Sequence, residues 1–153
     1  MAAYTTVAIA SIWAQALASS APLKAWAQAA FARDWAVSVG TDMRHSPSAN
    51  DAPFCVFFPD AVADPDRTAN QHTIGLILGI ADDGFVTVNG VTTMRALKSI
   101  DELWPSVRAV LDGAIPGAMV TGYEIDYLIH SFPLVMLSVT ATVEQKKPIG
   151  SRY

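Results

Sequence analysis

The chain has 153 residues, 52% of them hydrophobic and only 16% charged, with a formal net charge of −4. Globular chains usually carry about 25% charged residues, so little charge is available to coat a free surface, and the composition favours burial between subunits over a solitary enzyme. The negative balance argues against a general nucleic-acid binder, which shows a basic patch. A lone cysteine, Cys55, excludes an internal disulfide or a thiolate cluster within one chain.

Residues 4–19 place Val7, Ile9, Ile12, Trp13, Ala16 and Leu17 along one broad apolar side, which predicts a helix capped by Thr5 or Thr6. Neither Lys nor Arg precedes this stretch, as a signal peptide's first region requires, and it is too short and polar to span a bilayer. A core helix is expected. Ser19, Ser20 and Pro22 should end it, and a second short helix is expected from Leu23 to Phe31.

Trp35 to Val39 alternates as a first strand and runs into a polar loop, Gly40 to Asp51, long enough to suggest function. Pro53 to Phe58 is apolar on both faces and predicts a central strand, with Pro59 as its stop. A second loop, Asp60 to Gln71, holds Asp60, Asp64, Asp66 and Arg67. Carboxylates suit hard cations, but the spacing and closing glutamate of a calcium loop are missing, and a solvated loop is expected.

His72 to Ala81 should be a strand with Ile74, Leu76, Leu78 and Ile80 on one side. Its other side is bared by Gly75 and Gly79, inviting a bulge or the close approach of another backbone. Phe85 to Met94 predicts a hairpin turning at Asn89-Gly90. Ser99 with Glu102 has the capping-box pattern of a helix start, followed by the stripe Ile100, Leu103, Trp104, Val107, Val110 and Leu111 and a stop at Gly113. Pro105 then falls early in that helix, at the cost of a hydrogen bond.

Two long antiparallel strands follow, within Gly117 to Gln145. In the second, Val135, Leu137, Val139, Ala141 and Val143 share one face; Leu134, Met136, Ser138, Thr140 and Thr142 share the other. Lys146 to Tyr153 is a short basic tail. The sum is an α+β domain over residues 1–145. Its mixed or antiparallel sheet carries N-terminal helices and one long amphipathic helix on one face.

Motifs for chemistry are missing. His45, His72 and His130 stand alone in their segments, with no pair at metal-ligand spacing. The chain has no Gly-x-Ser-x-Gly elbow and no phosphate-binding glycine pattern. Cys55 lies in the apolar run Phe54-Cys55-Val56-Phe57-Phe58 and reads as a small core residue. The sequence therefore assigns no catalytic, cofactor or metal residue, and the reading is of a non-enzyme.

The order of elements is informative in another way. An N-terminal helix leads to a strand at Asp51-Ala52-Pro53-Phe54-Cys55-Val56, then a long loop, a strand pair and the helix Ser99 to Leu111. A last hairpin closes through His130-Ser131-Phe132-Pro133-Leu134 into a Val/Thr-rich strand. This layout resembles the tail terminator proteins of long-tailed bacteriophages. The resemblance implies a virion protein, assembled in the host cytoplasm, that closes into a homo-hexameric ring. Such a ring caps the tail tube, halts polymerisation of the tube protein and meets the head connector or neck protein, while DNA only passes through its lumen. It implies neither cofactor nor membrane.

A cyclic ring needs two different patches of one subunit to meet. Leu134, Met136 and Thr140 are expected to form one patch, and the glycine-bared strand face at Gly75 and Gly79 the other. Arg44 in the first loop, Asp64, Asp66 and Arg67 in the second, and Lys146, Lys147 and Arg152 in the tail are expected to meet neighbours. The helix Leu23 to Phe31 and Pro105 exceed the simplest form of the layout. The alternatives are another neck or tail-completion protein, or a small intracellular enzyme or ligand-binding domain with a pocket between helix and sheet.

Overall fold

The computed structural model describes residues 4–63 and 69–146. Helix α1 (Thr6–Ala18) starts at Thr5, whose hydroxyl accepts from the Ala8 N–H at 3.1 Å. It buries Ile9, Ala10, Trp13, Ala14 and Leu17, as the core-helix reading expects. The serines after it have a second use. Ser20 caps α2 (Ala21–Phe31), accepting from the Leu23 N–H, and Pro22 sits in the first turn, where a missing N–H costs no helical bond.

Five strands form one mixed sheet in the order β1-β2-β3-β7-β6. They are β1 (Ala36–Val39), β2 (Phe54–Ala63), β3 (Ala69–Ala81), β6 (Ala118–Ser131) and β7 (Leu134–Lys146). Only β1 and β2 run parallel; the other pairs are antiparallel, with β3 and β7 matched from Ala69↔Lys146 to Ala81↔Leu134. Between β3 and β6 come the hairpin β4 (Phe85–Val88) and β5 (Val91–Met94), then α3 (Arg95–Gly113). Asn89 and Gly90 both take positive φ at the hairpin tip, as a type I′ turn demands. The fold is α+β.

Helices α1 and α3 cover one face of the sheet. Beneath them lie Cys55 and Phe57 of β2, Ile74, Leu76, Leu78 and Ile80 of β3, and the alternating residues Val135 to Val143 of β7, all buried in one apolar cluster. Trp13 packs its ring 6.3 Å from that of Phe57, and Trp35 donates its indole N–H to the Leu17 carbonyl at 3.4 Å. The opposite face carries only a smaller cluster, in which Ala52, Phe54, Val56 and Leu134 are buried together. Among the described residues no α-helix lies over it; only the 3-10 turn Ala49–Asp51 packs there, through Ala49.

Three expectations are corrected. Pro59 does not stop β2, which continues to Ala63 with an irregularity between Pro59 and Ala61. Strand β1 ends opposite Phe57, so from Phe58 onward β2 has an open side, where a proline deprives no neighbour of a hydrogen bond. The loop expected from Asp60 to Gln71 is accordingly mostly strand: β2 holds 60–63 and β3 starts at Ala69. Helix α3 begins at Arg95 rather than Ser99, directly out of β5. Pro105 therefore lies in its middle, on the exposed side, where solvent reaches the Asp101 carbonyl that loses its partner.

Candidate assembly surfaces

Two uncovered apolar surfaces stand out, on different elements. The first is the β4–β5 hairpin. Phe85, Val88 and Val91 are 55%, 58% and 64% exposed, although hairpin strands usually turn such residues toward a core. Phe85 stacks on Phe132 of the β6–β7 turn at 5.9 Å, and Thr87 and Thr92 share a hydroxyl hydrogen bond of 2.9 Å across the strands. Its base is clamped: Arg95 donates two side-chain hydrogen bonds to the Asp82 carboxylate at 2.6 and 2.8 Å. The Arg95 N–H meets the Gly84 carbonyl at 2.9 Å. A Cβ at Gly84 would stand 2.7 Å from the Arg95 guanidinium, so only glycine admits this clamp without displacement. The ion pair holds the Asp82 carboxyl below its ordinary pKa.

The second surface is β6, at the sheet edge. It pairs with β7 along one side, and no described strand pairs with the other. Toward the helices it presents Tyr123, Ile125 and Tyr127, and Ile129 follows in the irregular stretch before Ser131. Tyr123 donates to Asp112 of α3 at 2.7 Å, Tyr127 donates to Asp101 at 2.6 Å, and Arg108 lies 5.1 Å from the Tyr123 ring centroid. Burial, and then the neighbouring Asp112, raise the Tyr123 pKa. Ile125, Tyr127 and Ile129 nonetheless stay exposed. On the outer face β6 carries Glu124 and Asp126, opposite Thr140 and Ser138. No lysine, arginine or proline occurs between Ala118 and Ser131, the residues that commonly guard such an edge.

The residues singled out in the sequence divide unevenly. Leu134 is 3% exposed, inside the chain's own outer-face cluster, and Met136 packs partly against that cluster. Gly79 is covered by the Phe54 ring, which a Cβ would meet at 2.2 Å. The close approach foreseen there is made by a side chain of the same chain, not by another backbone. Gly75 and Thr140 lie half-buried on the open outer face. Arg44 folds back on Asp42, with side-chain hydrogen bonds of 3.0 and 2.9 Å, and Lys146 ends β7 exposed. Asp64, Asp66, Arg67, Lys147 and Arg152 lie outside the described residues. The hairpin and the β6 edge were not marked in the sequence. Their alternation is legible there, but what covers each face depends on tertiary packing.

The chemical groups stay apart. His45 lies exposed in the first loop, while His72 is buried on β3 beneath the start of α1. The His72 Nδ1 shares a 2.9 Å hydrogen bond with the Thr6 hydroxyl, its Nε2 has no protein partner, and burial lowers its pKa. Nearby, the Tyr4 N–H donates to the Gln145 side-chain carbonyl at 2.9 Å. The Cys55 thiol is fully buried, which pushes its pKa up and away from thiolate chemistry. Among the described residues no group of three or more His, Cys, Asp or Glu is placed to hold a metal ion. A shallow cavity of about 330 Å³ opens on the outer face beside β1, floored by Phe54 and Val56 and rimmed by Arg33, Ser38 and His45.

No protein-family model matches the chain, and no curated protein matches it.

Proposed function

We propose that this chain is a self-assembling structural subunit of a phage tail, a terminator whose ring caps the tail tube and joins it to the head connector. The observation that carries the reading is the pairing of two dissimilar uncovered surfaces. One is the clamped hairpin with Phe85, Val88 and Val91; the other is the open β6 edge with Ile125, Tyr127 and Ile129. Unlike patches on one subunit make head-to-tail contacts, and these close into a ring when the rotation per step allows it. An uncovered hairpin also suits insertion into a neighbour, since burying the exposed part of each valine adds about 1 kcal/mol. The low charge content and the element order support the same reading.

The test is native mass by light scattering, with negative-stain images of the same sample. A ring of subunits supports the reading, and a monomer both alone and mixed with assembled tail tubes sinks it. A Val88→Glu, Val91→Glu double variant checks the surface itself: its melt should match the parent's at low concentration while its assembly is lost.

A further inference from the structure

The sheet has two open edges, and their backbones are in phase. Strand β1 pairs with β2 along one side, and no described strand pairs with its other side. The Ala36 N–H donates to the Pro53 carbonyl at 3.0 Å and the Gly40 N–H to the Phe57 carbonyl at 2.7 Å. Alternate residues of a strand turn their backbone groups to opposite sides, so Val37 and Val39 direct theirs away from β2. At the far edge, the Asp82 N–H donates to the Pro133 carbonyl at 3.2 Å, and the β3–β7 register continues from there without a shift. Alternation along β7 then turns the backbones of Ser138 and Thr140 to β6, where they meet Asp126 and Glu124. Tyr123, Ile125 and Tyr127 are left with backbone groups directed outward, over a stretch whose register is unbroken.

The side chains agree with this phase. Val37 and Val39 stand level with Cys55 and Phe57, and Ile125 and Tyr127 level with Val139 and Leu137, all on the helix-covered face. Joining the edges therefore keeps the helices on one side and brings the exposed Val39 against the exposed Ile125 and Tyr127. The outer face brings Glu124 and Asp126 to the cavity bordered by Arg33, Ser38, Thr41 and His45. Arg33 donates there to the Ala52 carbonyl at 2.9 Å and keeps further N–H groups, while Asp51 turns its carboxylate on Ser48. A guanidinium, an imidazole and two hydroxyls thus face two carboxylates.

We propose that β6 of one copy adds antiparallel to β1 of a second copy, with Val39 opposite Ile125 and Val37 opposite Tyr127. Within one chain β1 and β6 run in opposite directions. Copies related by rotation about an axis along the strands present them antiparallel, as a head-to-tail contact requires. Two β6 edges meet less well: a two-fold pairing about Ile125 sets Glu124 against Asp126 twice. The β4–β5 hairpin belongs to a separate sheet and takes no part in the pairing.

The inference rests on the self-assembly reading above, and one experiment separates the two. In the proposed register Ser38 and Asp126 form a non-hydrogen-bonded pair, with Cα atoms about 4.5 Å apart, within disulfide reach. In a single chain they are four strand spacings, about 19 Å, apart, so their disulfide joins two copies. The full-length Ser38→Cys variant is mixed with Asp126→Cys, and separately with Glu124→Cys and with Lys98→Cys on α3; the mixtures are oxidised, and the native mass of the unsubstituted protein is recorded. Native Cys55 is fully buried and does not compete. Coupling to Asp126→Cys should exceed coupling to Lys98→Cys several-fold. An assembled mass with equal coupling overturns the joined edges alone. A monomeric mass with equal coupling sinks self-assembly as well. Stronger coupling to Glu124→Cys overturns the register, and stronger coupling of Asp126→Cys to itself overturns β1 as the partner. In a second arm, Val39→Pro removes an N–H that its own sheet does not use. Its melt at low concentration should stay, while association weakens about tenfold; unchanged association in the folded variant overturns the backbone pairing.

Discussion

Single side chains decide which surfaces belong to the chain's own core. At Gly79 the Phe54 ring occupies the space a Cβ would take. Gly79→Ala should therefore cost about 1–3 kcal/mol in urea unfolding, and shrinking the ring with Phe54→Leu should return part of that loss. A Cβ at Gly75 would meet nothing closer than 3.8 Å, so Gly75→Ala should be neutral or gain up to about 1 kcal/mol. Leu134→Glu should unfold the chain by about 3 kcal/mol or more, because it drives a carboxylate into a closed apolar cluster. Its loss would be read in the melt, where an assembly residue would spare the melt and change only the mass. His72 is held neutral by burial, so its folded pKa lies below the ordinary value of about 6.5. Between those two values the unfolded chain binds more protons, and stability falls as pH drops below about 6.5. In His72→Gln that part of the pH dependence should vanish from unfolding curves taken across the window.

At the scale of elements, α3 separates what the sequence makes legible from what it hides. Its apolar stripe from Ile100 to Leu111 can be read off the spacing, and so can the Asn89-Gly90 hairpin and the alternation of β7. Its first turn cannot: Arg95-Ala96-Leu97-Lys98 has no capping side chain, and Met94 at the cap makes no side-chain bond. That turn is fixed by Arg95 reaching thirteen residues back to Asp82, a contact of tertiary origin. The extension of β2 past Pro59 is hidden for a similar reason, since a proline is tolerated only once β1 is known to have ended. The outer-face residues illustrate the limit for the candidate site. Alternation places Leu134 opposite the core face correctly, yet it says nothing of Phe54 and Val56 closing around it. Pro105→Ala offers a test of α3 itself. Restoring the N–H toward Asp101 in the middle of the helix should raise stability by about 1–2 kcal/mol, measured by thermal melt; an unchanged melt would mean the helix is already bent to suit proline.

For the whole molecule, the sheet covered on one face leaves a domain that is well packed toward α1 and α3 and under-covered at its rim. If that rim is an assembly surface, the stability of the subunit includes its neighbours. The melting temperature of the purified protein should rise with protein concentration, as mass action requires of a folded oligomer. The Val88→Glu, Val91→Glu variant should lose that dependence. A melting temperature fixed across a hundredfold concentration range would show that folding and association are uncoupled.

The strand order has a consequence for how the subunit is made. Strand β3 comes early in the chain, but one of its two partners is β7, which is made after every other described strand. The β6 edge has no sheet to belong to until β7 slots between it and β3. A nascent chain lacking that strand therefore cannot display the finished edge, however long translation pauses. If that edge recruits a neighbour, as proposed, recruitment is confined to chains whose synthesis has passed Lys146.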